Sequence, residues 1–129
     1  MADKLTRILY VGDEPDIQMV ARLALETLGG FTLEVCSSGE EALEKIAAFQ
    51  PQFILLDVMM PGIDGPTTLG NLRKLPEFAA IPVVFMTAKV QPSEVAGYKT
   101  IGAVDVIPKP FDPMTLSSQV QAIWENSHG

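Results

Sequence analysis

The sequence predicts an α/β fold in which five strands alternate with five helices. Two observations support this prediction. Short apolar runs end abruptly in turn residues, most clearly at residues 53–56, which are followed by Asp57 and Pro61-Gly62. Such runs are typical of strands that are buried on both faces of a parallel sheet. Between the runs, apolar residues recur three or four positions apart, as in helices that pack on a sheet.

Five segments have the character of strands. The second of them alternates apolar and polar residues, so we expect it nearer an edge of the sheet. The first, third and fourth are of the fully buried type. The strands are predicted at residues 8–11, 31–36, 53–57, 81–88 and 104–107.

Helices are predicted between these strands and after the last one, beginning near residues 15, 39, 66, 92 and 113. Pro15 and Pro66 suit a first helical turn, and Gly29-Gly30 ends the first helix. The third and fifth helices are expected to turn apolar side chains to the sheet: Leu69, Leu72, Leu75, Leu116, Val120, Ile123 and Trp124. Strands and helices that alternate with right-handed crossovers predict a flavodoxin-like doubly wound parallel sheet with strand order 2-1-3-4-5.

Composition and charge restrict the possible functions. Nine Lys and Arg against sixteen Asp and Glu give a net charge of -7, which argues against direct binding to nucleic acid or to an anionic membrane. The single cysteine, Cys36, cannot form an internal disulfide, and this fits a reducing cytosol. No signal-peptide core or membrane-length apolar run is present. The sequence therefore predicts a cytoplasmic single domain over residues 1–129, with its core at about 6–126 and no output domain in this chain.

Polar side chains follow four of the predicted strands. Asp13 and Asp57 follow the first and third strands, Thr87 lies at the end of the fourth, and Lys109 follows the fifth. Because the carboxyl ends of parallel strands open on one side of such a sheet, we expect these groups to converge. Two neighbouring carboxylates favour a cation between them, and oxygen ligands favour Mg²⁺. The set suits phosphoryl transfer to Asp57, with Lys109 and Thr87 contacting the phosphate.

The chain resembles response-regulator receiver domains, the family of the chemotaxis regulator, over nearly its whole length. The resemblance rests on four motifs: residues 8–11 followed by Asp13-Glu14-Pro15, residues 57–65, Thr87-Ala88 and Lys109-Pro110-Phe111. It implies a cis peptide bond between Lys109 and Pro110.

The same resemblance implies a role for each site residue. Asp57 is implied as the phosphoacceptor, and Mg²⁺ is implied to be held by Asp13, Asp57 and the backbone carbonyl of Met59. Thr87 and Lys109 are implied as phosphate contacts. Apolar Met59 is poorly suited to orient an attacking water, so we predict slow autodephosphorylation.

Gly12 departs from the family pattern. The family usually carries an acidic residue immediately before the position of Asp13, and that carboxylate would hold a metal-bound water. Its absence predicts weaker Mg²⁺ binding, which Glu14 or Asp16 is placed to offset in part.

Val106 is the second departure. The family usually has Tyr or Phe there, and this ring swings inward as the hydroxyl residue that matches Thr87 moves toward the phosphate. Thr87 and Val106 are therefore the implied switch positions, and Val106 has too small a side chain for that movement.

Several interpretations remain open at this point. The first is a receiver that accepts a phosphoryl group from a histidine kinase or phosphotransfer protein and switches a partner-binding surface of strand 4 through helix 5. The second is a degenerate receiver that binds partners without phosphorylation, which Gly12 and Val106 favour. A phosphatase usually has a second Asp where Met59 stands, and a flavodoxin would need a Ser/Thr/Gly phosphate loop after strand 1. Each strand-end residue also has a purely structural interpretation. Asp57 would be a turn residue and Asp13 a helix cap. Thr87 would be an ordinary strand residue, and Lys109 a solvated cation.

Overall fold

The computed structural model describes residues 4–128 and confirms the predicted fold class. All five strands are parallel and lie in the order β2-β1-β3-β4-β5, as predicted. The strands are β1 Arg7–Val11, β2 Thr32–Cys36, β3 Phe53–Asp57, β4 Val83–Thr87 and β5 Asp105–Pro108. The helices are α1 Pro15–Arg22, α2 Gly39–Phe49, α3 Gly65–Arg73, α4 Pro92–Thr100 and α5 Leu116–His128. The direction in which successive strands are added to the sheet reverses between β1 and β3. The carboxyl ends of these two strands therefore flank the topological switch point, where ligands bind in sheets of this kind.

The sheet is buried on both faces. Successive side chains of β1 point to opposite faces, so Tyr10 packs with Leu55 and Trp124 in one core cluster and Leu9 packs with Phe85 in the other. All residues of β3 and β4 are buried. The alternating strand β2 lies at an edge of the sheet, as its pattern predicted. Among the described residues, no helix combines the length and the apolar character that a membrane span requires.

The end of the first helical segment differs from the prediction. Beyond α1 the chain continues as a π-helical segment, Leu23–Leu28, rather than as regular α-helix up to Gly29. The wider turn of a π-helix shifts side-chain directions, and here both Ala24 and Leu25 are buried. An apolar spacing of three to four residues does not distinguish an α-turn from a π-turn.

Two other helix boundaries also differ. Leu75 was predicted within the third helix but lies beyond α3 in an extended conformation, because Pro76 follows it and begins a 3-10 turn, Pro76–Phe78. The last helix begins at Leu116 rather than at residue 113. The reason is that Asp112 caps a separate turn, in which its Oδ1 accepts a hydrogen bond from the N–H of Met114 at 2.8 Å.

Two side chains fasten the amino-terminal edge of the sheet. Gln52 Oε1 accepts hydrogen bonds from the backbone N–H groups of Thr6 at 2.8 Å and Arg7 at 2.9 Å. The guanidinium group of Arg73 donates to the carbonyl oxygens of Ile81 at 2.8 Å and Gly102 at 3.1 Å. These bonds join each side chain to backbone groups between 8 and 46 positions away in the sequence and hold the starts of β1, β4 and β5 in place.

Candidate functional site

Asp57, the last residue of β3, lies at the centre of the site. Its side chain is only 2% exposed. The ammonium nitrogen Nζ of Lys109 lies 2.7 Å from Asp57 Oδ1 and 3.1 Å from Glu14 Oε1. The backbone N–H of Lys109 donates to the carbonyl of Thr87 at 2.9 Å, which fixes the residue beyond β5, and the Lys109-Pro110 bond is cis as expected. The structure thus brings Asp57, Thr87 and Lys109 to one edge of the sheet.

Burial and neighbouring charges shift the pKa values of Asp57 and Lys109 in opposing directions. Burial raises the pKa of Asp57, Lys109 lowers it, and the charges of Glu14 and Asp13 raise it further, so the net shift is upward. Partial burial alone would lower the pKa of Lys109, but its bonds to Asp57 and Glu14 outweigh burial and the net shift is also upward. One ammonium group therefore faces more negative charge than it neutralises, which favours binding of a further cation.

Thr87 ends β4 and faces an open cavity of about 250 Å³ whose lining includes Asp57 and Lys109. The residue is 6% exposed. Its Oγ1 accepts a hydrogen bond from the N–H of Lys89 at 3.0 Å and thereby holds the loop that follows β4. A hydroxyl that accepts one bond still has its own proton to donate, so Thr87 can contact an anion in the cavity.

The loop that follows Asp57 is folded tightly onto β3. The N–H of Gly65 donates to the carbonyl of Val58 at 2.9 Å, and the N–H of Val58 donates to the carbonyl of Met86 at 3.2 Å. A Cβ on Gly65 would collide with the backbone carbonyl oxygen of Asp57 and lie 2.9 Å from Val58 Cα. Glycine is therefore required for α3 to begin this close to the phosphoacceptor candidate. Asp64 caps α3 with its side chain, which is the role of a turn residue rather than a ligand.

The residues of the β1–α1 loop occupy different places around the cavity. Glu14 lines the cavity and shares Lys109 with Asp57, whereas Asp13 influences Asp57 by charge. Met59 also lines the cavity, with 74% of the residue exposed. The sequence indicated Glu14 only as a partial replacement for an acid at residue 12. Its bond to Lys109 spans 95 positions of the chain and has no local sequence signal.

Tyr10 reaches the site as well, and the sequence analysis treated it only as part of an apolar strand. Its ring is 1% exposed and lies in the core cluster beneath α1 and α5. A Cβ on Gly12 would lie 3.2 Å from Tyr10 Cε1, 3.3 Å from the Tyr10 hydroxyl oxygen and 3.3 Å from Asp57 Oδ2. Burial raises the pKa of the phenol, and the charges of Asp57, Glu14 and Asp13 raise it further. The sequence signal that could have indicated this contact is a tyrosine, Tyr10, two positions before a glycine, Gly12.

The oxygen groups at this edge fit Mg²⁺. Within the described part of the chain, no three His, Cys, Asp or Glu side chains form a group that could hold an ion. Mg²⁺ does not require such a group, because it commonly binds one or two protein carboxylates and keeps several waters. The negative charge that raises the pKa of Asp57 is what a divalent cation would neutralise. Asp13, Asp57 and the carbonyl of Met59 therefore stay the predicted ligand set.

Val106 of β5 is paired with Phe85 of β4 and is half-buried. Tyr98 of α4 packs edge-on against Phe85, with ring centroids 5.2 Å apart and planes at 68°. Val106 and Tyr98 pack against the same core cluster. The aromatic ring in this region thus comes from α4 rather than from residue 106.

Replacing Asp57 by asparagine is expected to stabilise the folded protein at neutral pH and therefore to raise its Tm. Because burial raises the pKa of Asp57 above its value in the unfolded chain, ionisation at neutral pH costs folding free energy. The gain should shrink as the pH falls through the folded-state pKa, where the parent protein is itself protonated. Thermal unfolding of both proteins across the acidic range measures this.

The control for that prediction is Asp64→Asn. Hydrogen bonds from Thr67 lower the pKa of Asp64, so its ionised form is favoured by folding and its replacement should give no gain at neutral pH. A gain for Asp57→Asn that stays constant at low pH would contradict the stated cause.

Comparison with known proteins gives consistent relatives. The family model of the response regulator receiver domain matches residues 8–121. The transcriptional regulatory protein CseB of Streptomyces coelicolor is 34% identical over 123 residues, which cover 95% of this chain and 50% of CseB. The alkaline phosphatase synthesis transcriptional regulatory protein PhoP of Bacillus subtilis is 35% identical over 121 residues, which cover 94% of this chain and 49% of PhoP. The chain thus spans about half the length of the curated relatives it matches.

A solved structure supports the same assignment. The chemotaxis response regulator CheY4 of Vibrio cholerae superposes with a TM-score of 0.86 at 27% sequence identity, covering 93% of this chain and 99% of CheY4. The family model covers most of the chain, and the fold is that of the CheY4 structure. The chain therefore belongs to the response regulator receiver family of two-component signal transduction.

Proposed function

We propose that this receiver domain accepts a phosphoryl group on Asp57 from a phosphohistidine of a histidine kinase or phosphotransfer protein. The observation that carries the proposal is the buried Asp57 carboxylate, bonded to Lys109 at 2.7 Å and open to the cavity that Thr87 lines. Receiver domains are regulators rather than enzymes in the ordinary sense. This one would promote only its own phosphorylation and a slow autodephosphorylation.

The transfer requires little acid–base chemistry from the protein. An oxygen of Asp57 forms a bond to phosphorus as the P–N bond to histidine breaks, and the nitrogen keeps the electron pair. Lys109 is placed to neutralise charge on the phosphoryl oxygens, and the Thr87 hydroxyl to donate a hydrogen bond to one of them. The contribution of the chain is therefore positioning and electrostatic stabilisation.

We propose that Asp13, Asp57 and the backbone carbonyl of Met59 hold Mg²⁺. When bound, Mg²⁺ supplies positive charge close to the transferred phosphoryl group. This positive charge is needed because the acidic side chains near Asp57, Glu14 and Asp13, would otherwise repel the incoming phosphate.

The surface formed by β4, α4, β5 and α5 is the proposed docking site for a downstream protein. Phosphorylation of Asp57 adds charge beside Thr87 and Lys109 and would shift the population of conformations of this surface. Exposed apolar side chains on or beside these elements support protein binding: Val90, Ile101, Val104 and Met114. The net charge of -7 favours a protein partner over nucleic acid or membrane for the domain itself, and buried, unpaired Cys36 fits the cytoplasm.

The second candidate function is a degenerate receiver that binds its partners without being phosphorylated. Gly12 favours it, because the carboxylate that would hold a metal-bound water is absent. The two functions differ in whether Asp57 is modified.

Intact-mass measurement after incubation with acetyl phosphate separates them. The parent protein should gain the mass of one phosphoryl group when Mg²⁺ is present, and Asp57→Asn should gain none. No gain in the parent protein at high Mg²⁺ would instead support the degenerate receiver.

Replacing Met59 by asparagine should shorten the lifetime of the aspartyl phosphate about 10-fold. The side chain lies at the cavity, and an amide can orient an attacking water, although it is a weaker aid than a full general base. Decay of the phosphorylated mass with time measures the rate, and Met59→Leu is the matched control. An asparagine variant that loses phosphate no faster than the leucine variant would contradict the prediction.

A further inference from the structure

Tyr10 and Gly12 share one small volume beside Asp57. The point that a Cβ of residue 12 would occupy is 3.3 Å from both the Tyr10 hydroxyl oxygen and Asp57 Oδ2. Lys109 bonds the other carboxylate oxygen, Oδ1. The phenol hydroxyl and Oδ2, the carboxylate oxygen that Lys109 does not bond, therefore both border the space that a Cβ of residue 12 would fill.

The phenol and a side chain at residue 12 compete for this volume. Contacts of 3.2 and 3.3 Å from a Cβ to the Tyr10 ring and hydroxyl are shorter than the usual separation of packed atoms, about 3.5–4.0 Å. The Tyr10 ring is held in the core beneath α1 and α5 and has little freedom to withdraw. Gly12 thus gives space to Tyr10, and the two residues form a matched pair.

The hydroxyl itself has no partner within the part of the chain that the structure describes, although a deeply buried phenol usually has one. Among the described residues, no fully buried side-chain oxygen or nitrogen lacks a partner, so the unpaired Tyr10 hydroxyl is not fully enclosed. A phenol can both donate and accept a hydrogen bond, and it carries no charge at neutral pH.

We propose that the Tyr10 hydroxyl is a positioning group of the cation site, accepting a hydrogen bond from a cation-bound water in place of the carboxylate that Gly12 lacks. The inference deepens the proposed function and rests on it. A neutral acceptor attracts a divalent cation less than a carboxylate would, so the site binds the cation more weakly than a site with an acid at residue 12 but better than one with no acceptor.

Direct binding of Mn²⁺, measured from the EPR signal of the free ion, tests this without any phosphorylation step. Tyr10→Phe should weaken binding about 10-fold, the lower end of the effect of losing a partner that orients a metal's ligands. Tyr98→Phe removes the other tyrosine hydroxyl and should leave binding unchanged. Thermal unfolding of both variants checks that they fold. Equal Mn²⁺ affinity of Tyr10→Phe and the parent protein would overturn the inference.

A second set of variants tests the shared volume. Gly12→Asp alone should improve Mn²⁺ binding little, because the Tyr10 ring crowds the new side chain. The same change together with Tyr10→Val should bind Mn²⁺ about 10-fold more tightly than the parent protein, since the carboxylate then has space. An equal gain from Gly12→Asp in both backgrounds would overturn the pairing of the two residues.

The outcome also separates this inference from the proposed function. Mn²⁺ binding that Asp57→Asn abolishes and Tyr10→Phe leaves intact would overturn the inference alone. A parent protein that binds no Mn²⁺ at this site would overturn both the inference and the Mg²⁺-dependent function.

Discussion

Replacing Lys109 by methionine should slow the uptake of a phosphoryl group from acetyl phosphate by about 10²-fold, the usual cost of losing one group that stabilises charge in a transition state. The substitution keeps the unbranched apolar stem of the side chain but removes the ammonium that lies 2.7 Å from Asp57 and 3.1 Å from Glu14. Without it, the pKa of Asp57 should rise further, because burial and the charges of Glu14 and Asp13 are then unopposed. The rate of mass gain at saturating Mg²⁺ measures the effect.

Lys45→Met is the matched control for this experiment. Lys45 is an exposed residue of α2 that pairs with Glu41 at 2.9 Å, so its loss changes the net charge equally without touching the site. The control should be phosphorylated at the rate of the parent protein. A Lys109 variant that reacts as fast as the Lys45 variant would show that the ammonium does not act in the transfer.

Replacing Gly65 by alanine should destabilise the protein by about 3 kcal/mol, at the upper end of the cost of inserting one methyl group into a packed region. The new Cβ would meet the backbone carbonyl of Asp57 and the Cα of Val58, neither of which can rotate away as a side chain can. We also expect slower phosphorylation, since relief of the clash moves the phosphoacceptor candidate. Denaturant unfolding measures the free energy, with intact mass as the second measurement.

Gly70→Ala provides the comparison within the same helix. A Cβ at Gly70 meets no atom within 4 Å, so only the conformational benefit of alanine remains, about 0.5–1 kcal/mol in favour of the variant. The two substitutions should thus have effects of opposite sign. Equal effects on the free energy of unfolding would mean that helix propensity, and not the contact with β3, decides the effect at Gly65.

Much of this fold could be predicted from the sequence because its signals are local. The apolar run before Asp57, the prolines at helix starts and the glycines after the π-helical segment each act within a few residues. Once the parallel sheet was predicted, its topology brought Asp57, Thr87 and Lys109 to one edge. The edge position of β2 followed in the same way, from the alternation of its side chains.

What the sequence did not reveal depends on the direction of side chains between distant elements. The bond from Lys109 to Glu14 joins residues 95 positions apart, and Tyr10 and Asp57 both border the space that Gly12 leaves. The ring of Tyr98 against Phe85 is likewise a contact between a helix and a strand. The π-helical segment after α1 was missed because its apolar spacing equals that of an α-helix.

The hydrogen bonds of Gln52 and Arg73 at the amino-terminal edge have a consequence for how this domain can respond to a signal. They end on backbone groups, so neither a phosphoryl group nor a cation at the opposite edge alters their chemistry. The bonds at the carboxyl edge are of another kind, since Lys109 shares its charge among acids that a ligand would rearrange. Local unfolding should therefore cost more free energy at the amino-terminal edge of the sheet than at its carboxyl edge. The amino-terminal edge therefore stays fixed, while the loops at the carboxyl edge can change their hydrogen-bond and ion-pair partners.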